Sequence, residues 1–180
     1  MPAPLIKLRT ERLMLRLHRE DDIPVLVRLL GAKEVAATTL RIPHPYTEAD
    51  ARAFLEAQQS PASKFAIIEI ASGDLVGGIG LSIEERHMHA ELGYWIGVPY
   101  WGKGYATEAA REMVRHGFVD LKLNRIFAGV FTGNPASEQV LKKIGFKHEG
   151  TLRQHFLKNG TFLDDECYGM LASEWRSLHA

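Results

Sequence analysis

The sequence predicts an α/β domain with about four helices and a mixed, mostly antiparallel sheet of six to seven strands. Two observations lead to this prediction. Short segments that alternate apolar and polar residues, as half-buried strands do, are interleaved with segments of helical periodicity. In addition, 180 residues suit a single domain, 1–180, with one core. No internal repeat or linker rich in proline, glycine and serine divides the chain.

The first half of the chain is predicted to contain four strands and two helices. The strands follow from alternating or β-branched segments at residues 12–18, 64–71, 75–83 and 87–98. Asp21 or Asp22 can cap the first helix. Thr47 begins a capping box for the second helix, which is predicted to run to about Gln59.

The second half is predicted to alternate helices with strands. Apolar residues recur with helical spacing over Tyr105–Phe118, and Arg125–Thr132 is rich in β-branched and aromatic residues. Pro135 suits the first turn of a helix that Asn134 caps and Gly145 ends. The chain is predicted to finish with two strands and a helical turn, at residues 147–156, 162–171 and 173–179.

The most informative segment is residues 100–109, Tyr-Trp-Gly-Lys-Gly-Tyr-Ala-Thr-Glu-Ala. A glycine-rich turn before a helix presents unpaired amides and the positive end of the helix dipole, and so binds phosphate. A nucleoside-triphosphate loop would need Ser or Thr where Gly104 stands, and a dinucleotide loop would need Gly or Ala in place of Thr107. Both of these interpretations fit poorly.

Trp101–Ala106 resembles the acyl-CoA loop of the GCN5-related N-acetyltransferase (GNAT) family, Gln/Arg-x-x-Gly-x-Gly/Ala. Trp101 departs from the pattern at its first position. The order of predicted elements also matches the GNAT fold over nearly the whole chain. Further segments resemble the ribosomal-protein-alanine N-terminal acetyltransferases, the RimJ/RimL-like branch: residues 8–16, 134–140, 149–153, 159–164 and 173–175.

The resemblance implies that acetyl-CoA is the cosubstrate and that backbone amides of the loop hold its pyrophosphate. The implied cofactor-binding residues are Trp101, Gly102, Lys103, Gly104, Tyr105, Ala106, Thr107 and Asn134. The expected reaction is acetyl transfer to a primary amine by direct attack in a ternary complex, with a protein or peptide N-terminal α-amine as the favoured acceptor. The alternatives are a small amine (an antibiotic, polyamine or amino acid) and a non-catalytic acyl-CoA-binding module.

Glu91 is the candidate general base, because it resembles the strand glutamate that some GNAT enzymes use. It lies on the strand that leads into the loop, on the same predicted face as Gly93 and Trp95. The competing interpretation is a solvent-facing strand carboxylate. Tyr94 and Trp95 are candidate walls of the acceptor site, although packing also explains them.

Ser137 is the second catalytic candidate. Many GNAT enzymes carry a tyrosine acid where this chain has Leu141, whereas the branch it resembles has Asn-x-x-Ser, here Asn134 to Ser137. Ser137 would then protonate the thiolate of CoA or stabilise it by a hydrogen bond. A structural serine in the first helical turn is the competing interpretation.

Composition and a few single residues bear on the other possible partners and sites of this protein. With 22 acidic and 22 basic residues, charge-driven nucleic-acid binding is not expected. Cys167 is interpreted as a packed strand residue, and no metal site is expected. Asp164 and Asp165 are interpreted as exposed turn carboxylates, with recognition of a cationic acceptor as the alternative. No signal peptide or membrane segment is apparent, so a cytoplasmic protein is predicted. The oligomeric state stays open, with a homodimer as one option.

Overall fold

The computed structural model describes residues 7–57 and 64–179 and divides into two compact units. The first unit comprises the chain up to Gly80 together with Tyr94–Glu112. The second comprises Leu81–Gly93 together with the chain from Met113 onward. One helix and two strands, each continuous along the chain, therefore contribute residues to both units.

Eight strands and six α-helices form from the described residues. The strands are β1 Leu8–Arg9, β2 Leu13–Arg16, β3 Lys64–Glu69, β4 Leu75–Glu84, β5 His89–Ile96, β6 Arg125–Phe131, β7 Lys147–Lys158 and β8 Thr161–Leu171. The helices are α1 Ile23–Leu30, α2 Lys33–Thr38, α3 Glu48–Glu56, α4 Tyr105–Arg115, α5 Pro135–Lys143 and α6 Ala172–Leu178.

In the first unit, β1 to β4 pair in chain order and antiparallel. Helix α1 begins with a proline in its first turn and buries one apolar face. Its buried residues pack in one cluster with Ala66 and Ile68 of β3. Helix α3 begins at the predicted capping box, in which Thr47 and Asp50 bond to each other's backbone amides. Residue Gln59, where this helix was predicted to end, lies outside the described residues.

In the second unit, β5 runs parallel to β6, and β8 lies antiparallel between β6 and β7. Alternate residues of β6 are buried, namely Ile126, Ala128 and Val130. They lie on the face opposite to Phe127 and Gly129 because side chains alternate along a strand. The buried set also includes Leu141 of α5 and Met170 of β8.

The structure confirms the α/β class and the mixed, mostly antiparallel sheet, but it has more elements than predicted. The predictions of six to seven strands and about four helices are wrong because short elements were missed. Strand β1 has only two residues, too few to show an alternation. Helix α2 has six residues, and no side chain caps its N-terminus.

Candidate functional site

The glycine turn leads directly into helix α4. Gly102 and Gly104 have φ angles of 75° and 81°, in the left-handed region that side chains disfavour. The carbonyl of Gly104 accepts the amide of Glu108 at 3.1 Å, so the helical hydrogen bonds begin at this glycine. The amides of the first helical turn have no acceptor within the helix and are available to a ligand.

Trp101 fixes the entry to the turn through its indole. Its Nε1–H donates to the carbonyl of Ile96 at 2.7 Å, while 46% of the residue remains exposed. The side chain at the first position of the acyl-CoA pattern is thus engaged with the protein's own backbone. The amides that follow Trp101 are main-chain groups, and they do not require Gln or Arg at this position.

Arg12 and Glu108 brace the turn, and the sequence analysis did not identify them. Glu108 accepts hydrogen bonds from the Thr10 hydroxyl at 2.6 Å, the Arg12 amide at 2.8 Å and Arg12 Nε at 2.7 Å. Arg12 Nη1 also donates to the carbonyl of Lys103 at 3.0 Å. Burial raises the pKa of Glu108, but these hydrogen bonds outweigh it and hold the pKa below its ordinary value. The Thr10–Arg12 segment was noted only as part of a family resemblance.

Tyr105 anchors the first residue of α4. The side chain is buried, and its hydroxyl donates to the carboxylate of Glu69 at the end of β3. The Ser72 hydroxyl donates to the same carboxylate at 2.7 Å. The hydrogen bond from Tyr105, followed by that from Ser72, lowers the pKa of Glu69 and keeps it ionised. Tyr105 is therefore a packed and hydrogen-bonded residue of the turn.

Trp95 packs closely over β4. A Cβ atom at Gly78 would lie 2.5 Å from the indole Nε1, so this position accepts only glycine while Trp95 stays where it is. Trp95 also packs against the apolar cluster of α1 and β3. Tyr94 is half-buried. Packing accounts for Trp95, and its role as a wall of the acceptor site stays a prediction.

Glu91 lies at the end of the part of β5 that pairs with β6. The parallel ladder joins His89, Ala90 and Glu91 to β6, with Glu91 opposite Phe127. Ala90 and Leu92 are buried whereas Glu91 is half-buried, as the predicted alternation requires. Glu91 and Phe127 therefore share the face of the sheet that also carries Gly129.

Asp165 contradicts the prediction of an exposed turn carboxylate. Only 5% of the residue is exposed, and its Oδ1 atom makes no hydrogen bond. The carboxylate lies over the backbone of β6, since a Cβ atom at Gly129 would be 2.5 Å from Oδ1. Burial raises the pKa of Asp165; His155 opposes this shift, and the charge of Glu91 adds to it. The turn signal was correct for Asn159 and Gly160, but Asp165 lies well inside β8.

Cys167 lies two residues further along β8. Its Sγ atom is 3.8 Å from Oδ2 of Asp165. Burial, with the neighbouring charge of Asp165, raises the pKa of the thiol. Cys167 is therefore held as a protonated thiol at neutral pH, which does not suit a nucleophile.

Asn134 caps helix α5 as the sequence predicted. Its Oδ1 atom accepts the backbone amide of Ser137 at 3.2 Å, and Pro135 occupies the first turn. Ser137 is half-buried in that turn. The geometry explains Asn134 as a cap, whereas contact of Asn134 or Ser137 with CoA stays a prediction.

The predicted site residues fall into two groups, one in each unit. Tyr94, Trp95 and the turn Trp101–Thr107 belong to the first unit; Glu91, Asn134 and Ser137 belong to the second. Within residues 7–57 and 64–179, no group of three or more His, Cys, Asp or Glu side chains is arranged to hold a metal ion. None of the described helices has the length and apolar character needed to cross a membrane.

A strand followed by a glycine turn at a helix N-terminus is typical of α/β proteins that bind phosphate groups. A family model for the acetyltransferase (GNAT) domain matches residues 12–147. The uncharacterized N-acetyltransferase p20 of Bacillus licheniformis is 33% identical over 175 residues, 93% of this chain and 97% of that one. The chain therefore belongs to the GNAT acetyltransferase family, whose members use acetyl-CoA, and it is an acyltransferase.

Two further comparisons agree with this assignment. The crystal structure of a GNAT-family acetyltransferase from Bacillus anthracis aligns with a TM-score of 0.85 at 28% identity, covering 93% of this chain and 99% of that one. The L-amino acid N-acetyltransferase AaaT of Escherichia coli is 28% identical over 151 residues, 82% of this chain and 91% of that one. These findings confirm the resemblance to the GNAT family and the fold that the sequence predicted.

Proposed function

We propose that this enzyme transfers the acetyl group of acetyl-CoA to a primary α-amine, with a protein or peptide N-terminus as the leading acceptor. The glycine turn at the N-terminus of α4 is the observation that carries the donor half of this proposal. Gly102 and Gly104 have φ angles of 75° and 81°, which favour glycine, and without a Cβ atom both leave the backbone open to a ligand. The amides from Gly102 to Thr107 would bind the pyrophosphate of acetyl-CoA.

The acceptor half rests on the chemistry of amines. A free α-amino group has a pKa near 8, so roughly a tenth of it is neutral at pH 7. A lysine side chain, with a pKa near 10.4, is neutral a few hundredfold less often. An α-amine therefore needs only a weak base to become a nucleophile, and a single strand carboxylate such as Glu91 can supply it. The segments resembling the RimJ/RimL-like branch favour the same kind of acceptor.

The mechanism would be direct attack. Glu91 accepts a proton from the ammonium group of the acceptor, and the neutral nitrogen attacks the thioester carbonyl carbon. The new C–N bond forms as the C–S bond breaks, the thiolate of CoA leaves with its electron pair, and the acetylated nitrogen loses its second proton to solvent. Ser137 would stabilise this thiolate by a hydrogen bond. The raised pKa of Cys167 argues against an acyl-enzyme on that thiol.

A small-molecule acceptor is the second candidate. The relative AaaT is named for L-amino acids, which also present an α-amine. For both kinds of acceptor we also propose the cytoplasmic location that the sequence predicts, because the enzyme needs a supply of acetyl-CoA.

The test is release of free thiol from acetyl-CoA in the presence of an amine panel. The panel pairs short peptides that have a free N-terminus with the same peptides acetylated at that end, each with and without a lysine. We expect thiol release and a mass increase of one acetyl group only where the α-amine is free. Acetylation confined to lysine or polyamines would overturn the acceptor assignment. Tight CoA binding without turnover on any amine would overturn the enzyme mechanism.

A further inference from the structure

Two carboxylates in the second unit lie over strand glycines, and they differ in their partners. The Glu149 carboxylate covers Gly169 of β8, where a Cβ atom would be 2.6 Å from Oε1. Both of its oxygens accept hydrogen bonds from the guanidinium of Arg125, one of them at 2.6 Å. This pair is a bidentate ion pair in which the charge of the carboxylate is balanced.

Asp165 occupies the equivalent kind of position over Gly129 without a cation. No ion pair joins it to any lysine or arginine in the described parts of the chain, and its Oδ1 atom has no hydrogen-bond partner. The groups that act on its charge are His155, Glu91, Cys167 and the backbone of Val130. A buried carboxylate oxygen without a hydrogen-bond partner costs free energy, which an incoming donor can recover.

The face around Asp165 brings a second carboxylate and an exposed glycine together on one side of the sheet. Asp165 pairs in register with Phe131 and Cys167 pairs with Gly129, so these residues share one face with Phe127 and Glu91. Gly129 is exposed although it lies in the middle of β6. The two carboxylates are therefore on the same face of β5 and β8, the two strands that flank β6, and Gly129 lies between Phe127 and Phe131 on that face.

We propose that Asp165 and Glu91 form the binding site for the positively charged amino group of the acceptor. This inference rests on the proposed function, because Glu91 is the base in that mechanism. The ammonium group donates to Oδ1 of Asp165 and passes one proton to Glu91, and the proton is released to solvent after acetyl transfer. Asp165 binds the acceptor and determines specificity, and it does not exchange a proton with the substrate.

The site also distinguishes between α-amines. A free amino acid carries a carboxylate next to its amino group, and two acidic side chains repel it. The N-terminus of a peptide presents the ammonium group with an uncharged amide in the same place. The geometry therefore favours a peptide or protein N-terminus over a free amino acid.

The experiment compares two amines of the same shape, ethylamine and 2,2,2-trifluoroethylamine, at pH 7.5. Ethylamine is protonated at that pH and the fluorinated amine is neutral. Dissociation constants are measured by ligand-observed NMR with the full chain saturated with CoA. We expect the wild-type enzyme to bind ethylammonium more tightly. Asp165→Asn should weaken ethylammonium about tenfold and leave the neutral amine unchanged.

Glu149→Gln is the matched control, since it neutralises the other carboxylate that covers a glycine and should change neither amine. Equal binding of the two amines by the wild-type enzyme would overturn the cation site without any variant. An equal loss for both amines in Asp165→Asn would overturn it as well. Failure of CoA to bind would count instead against the proposed function, so the two failures are distinguishable.

Discussion

The glycine turn and the face of the sheet that carries Asp165 and Glu91 differ in how their charged side chains are paired. Around the turn, the Glu108 carboxylate accepts three hydrogen bonds, and Arg12 also holds the carbonyl of Lys103. On the sheet face, Asp165 is buried with Oδ1 unpartnered, and Glu91 adds a second negative charge. The first region satisfies its side chains internally, and the second leaves one oxygen of a buried carboxylate without a hydrogen-bond partner.

This difference shows how a binding site for the acetyl donor and a binding site for the acceptor amine can be built from different groups. A site for a fixed cosubstrate can be built from main-chain amides, with side chains used only to hold the backbone in place. A site for a particular acceptor needs charges that complement that acceptor, and these are unsatisfied until it binds. Variants that remove a group from one of the two regions, each compared with a control variant elsewhere in the chain, can test this difference.

The largest effect is expected from Gly104→Val. Valine at a φ of 81° is strained, and its branched side chain would block the approach to the amides. Loss of two amide–phosphate hydrogen bonds, at roughly 1.5–3 kcal/mol each, should weaken acetyl-CoA about a thousandfold by calorimetry. Gly73→Val is the control, because Gly73 has a φ of 77° in a turn with no neighbour within 4 Å. Unchanged affinity in Gly104→Val would refute the loop assignment.

Glu91→Gln should lower the rate of transfer about a hundredfold at the acidic end of the pH range, a typical contribution of a general base. The loss should shrink as the pH rises, because more of the amine is then neutral without the help of a base. The measurement is the pH profile of kcat/KM for a peptide acceptor. Glu84→Gln, an exposed carboxylate at the end of β4, is the control. An equal loss at every pH would rule out Glu91 as the base.

Selectivity between L-alaninamide and L-alanine should reach about tenfold in kcat/KM, the scale of one unfavourable charge contact. The two differ in the carboxylate that Asp165 and Glu91 would repel and in the pKa of the amino group, so kcat/KM is expressed per neutral amine in each case. Asp165→Asn should reduce this preference, mostly through the KM of alaninamide. A wild-type enzyme that prefers alanine would contradict the acidic acceptor site and favour an amino-acid acetyltransferase.

Arg12→Gln should weaken acetyl-CoA about fivefold, the equivalent of one hydrogen bond of about 1 kcal/mol. The loss arises because the carbonyl of Lys103 no longer has its donor and the turn becomes less ordered. Arg52→Gln is a close control, since its side chain is 51% exposed against 47% for Arg12 and also pairs with a carboxylate. If both variants lower stability alike and leave the affinity for acetyl-CoA unchanged, Arg12 does not position the turn.

The smallest effect on turnover is expected at His18, whose Nδ1 atom is also buried without a hydrogen bond. Burial lowers its pKa to about 4, from 6.5 for an ordinary histidine, so the folded protein keeps it neutral. Between these values the unfolded chain binds a proton that the folded one does not. Stability should therefore fall by up to about 3 kcal/mol as the pH drops from 6.5 to 4.

His18→Phe should remove most of that loss while keeping the ring contact with Phe54. Urea unfolding at pH 7.5 and pH 4.5 measures the difference, and transfer at pH 7.5 should be unaffected. Asp22, whose pKa is depressed from 3.8, titrates below this window, and glutamates with a depressed pKa, such as Glu108, affect the wild-type protein and the variant alike. A His18→Phe variant with the wild-type dependence on pH would show that another group is responsible.

The correct sequence predictions came from patterns among residues that are close together in the chain. The α/β order, the cap at Asn134 and the start of α4 follow from short-range spacing, and the structure has them. Arg12 and Glu108 could not be found this way, because they are 96 residues apart and meet only in the fold. Asp165 was misjudged for the same reason: its burial depends on Gly129 of another strand, which no local pattern reports.

The most direct test is the pKa of the Asp165 carboxyl group, measured by carbon-13 NMR in the CoA complex with and without saturating ethylammonium. Burial raises this pKa in the free protein. A bound ammonium group should lower it, because an opposite charge favours the ionised form. Glu149, already paired with Arg125, should titrate alike in both samples. An Asp165 pKa that does not change when the amine binds would contradict the acceptor site described for this face of the sheet.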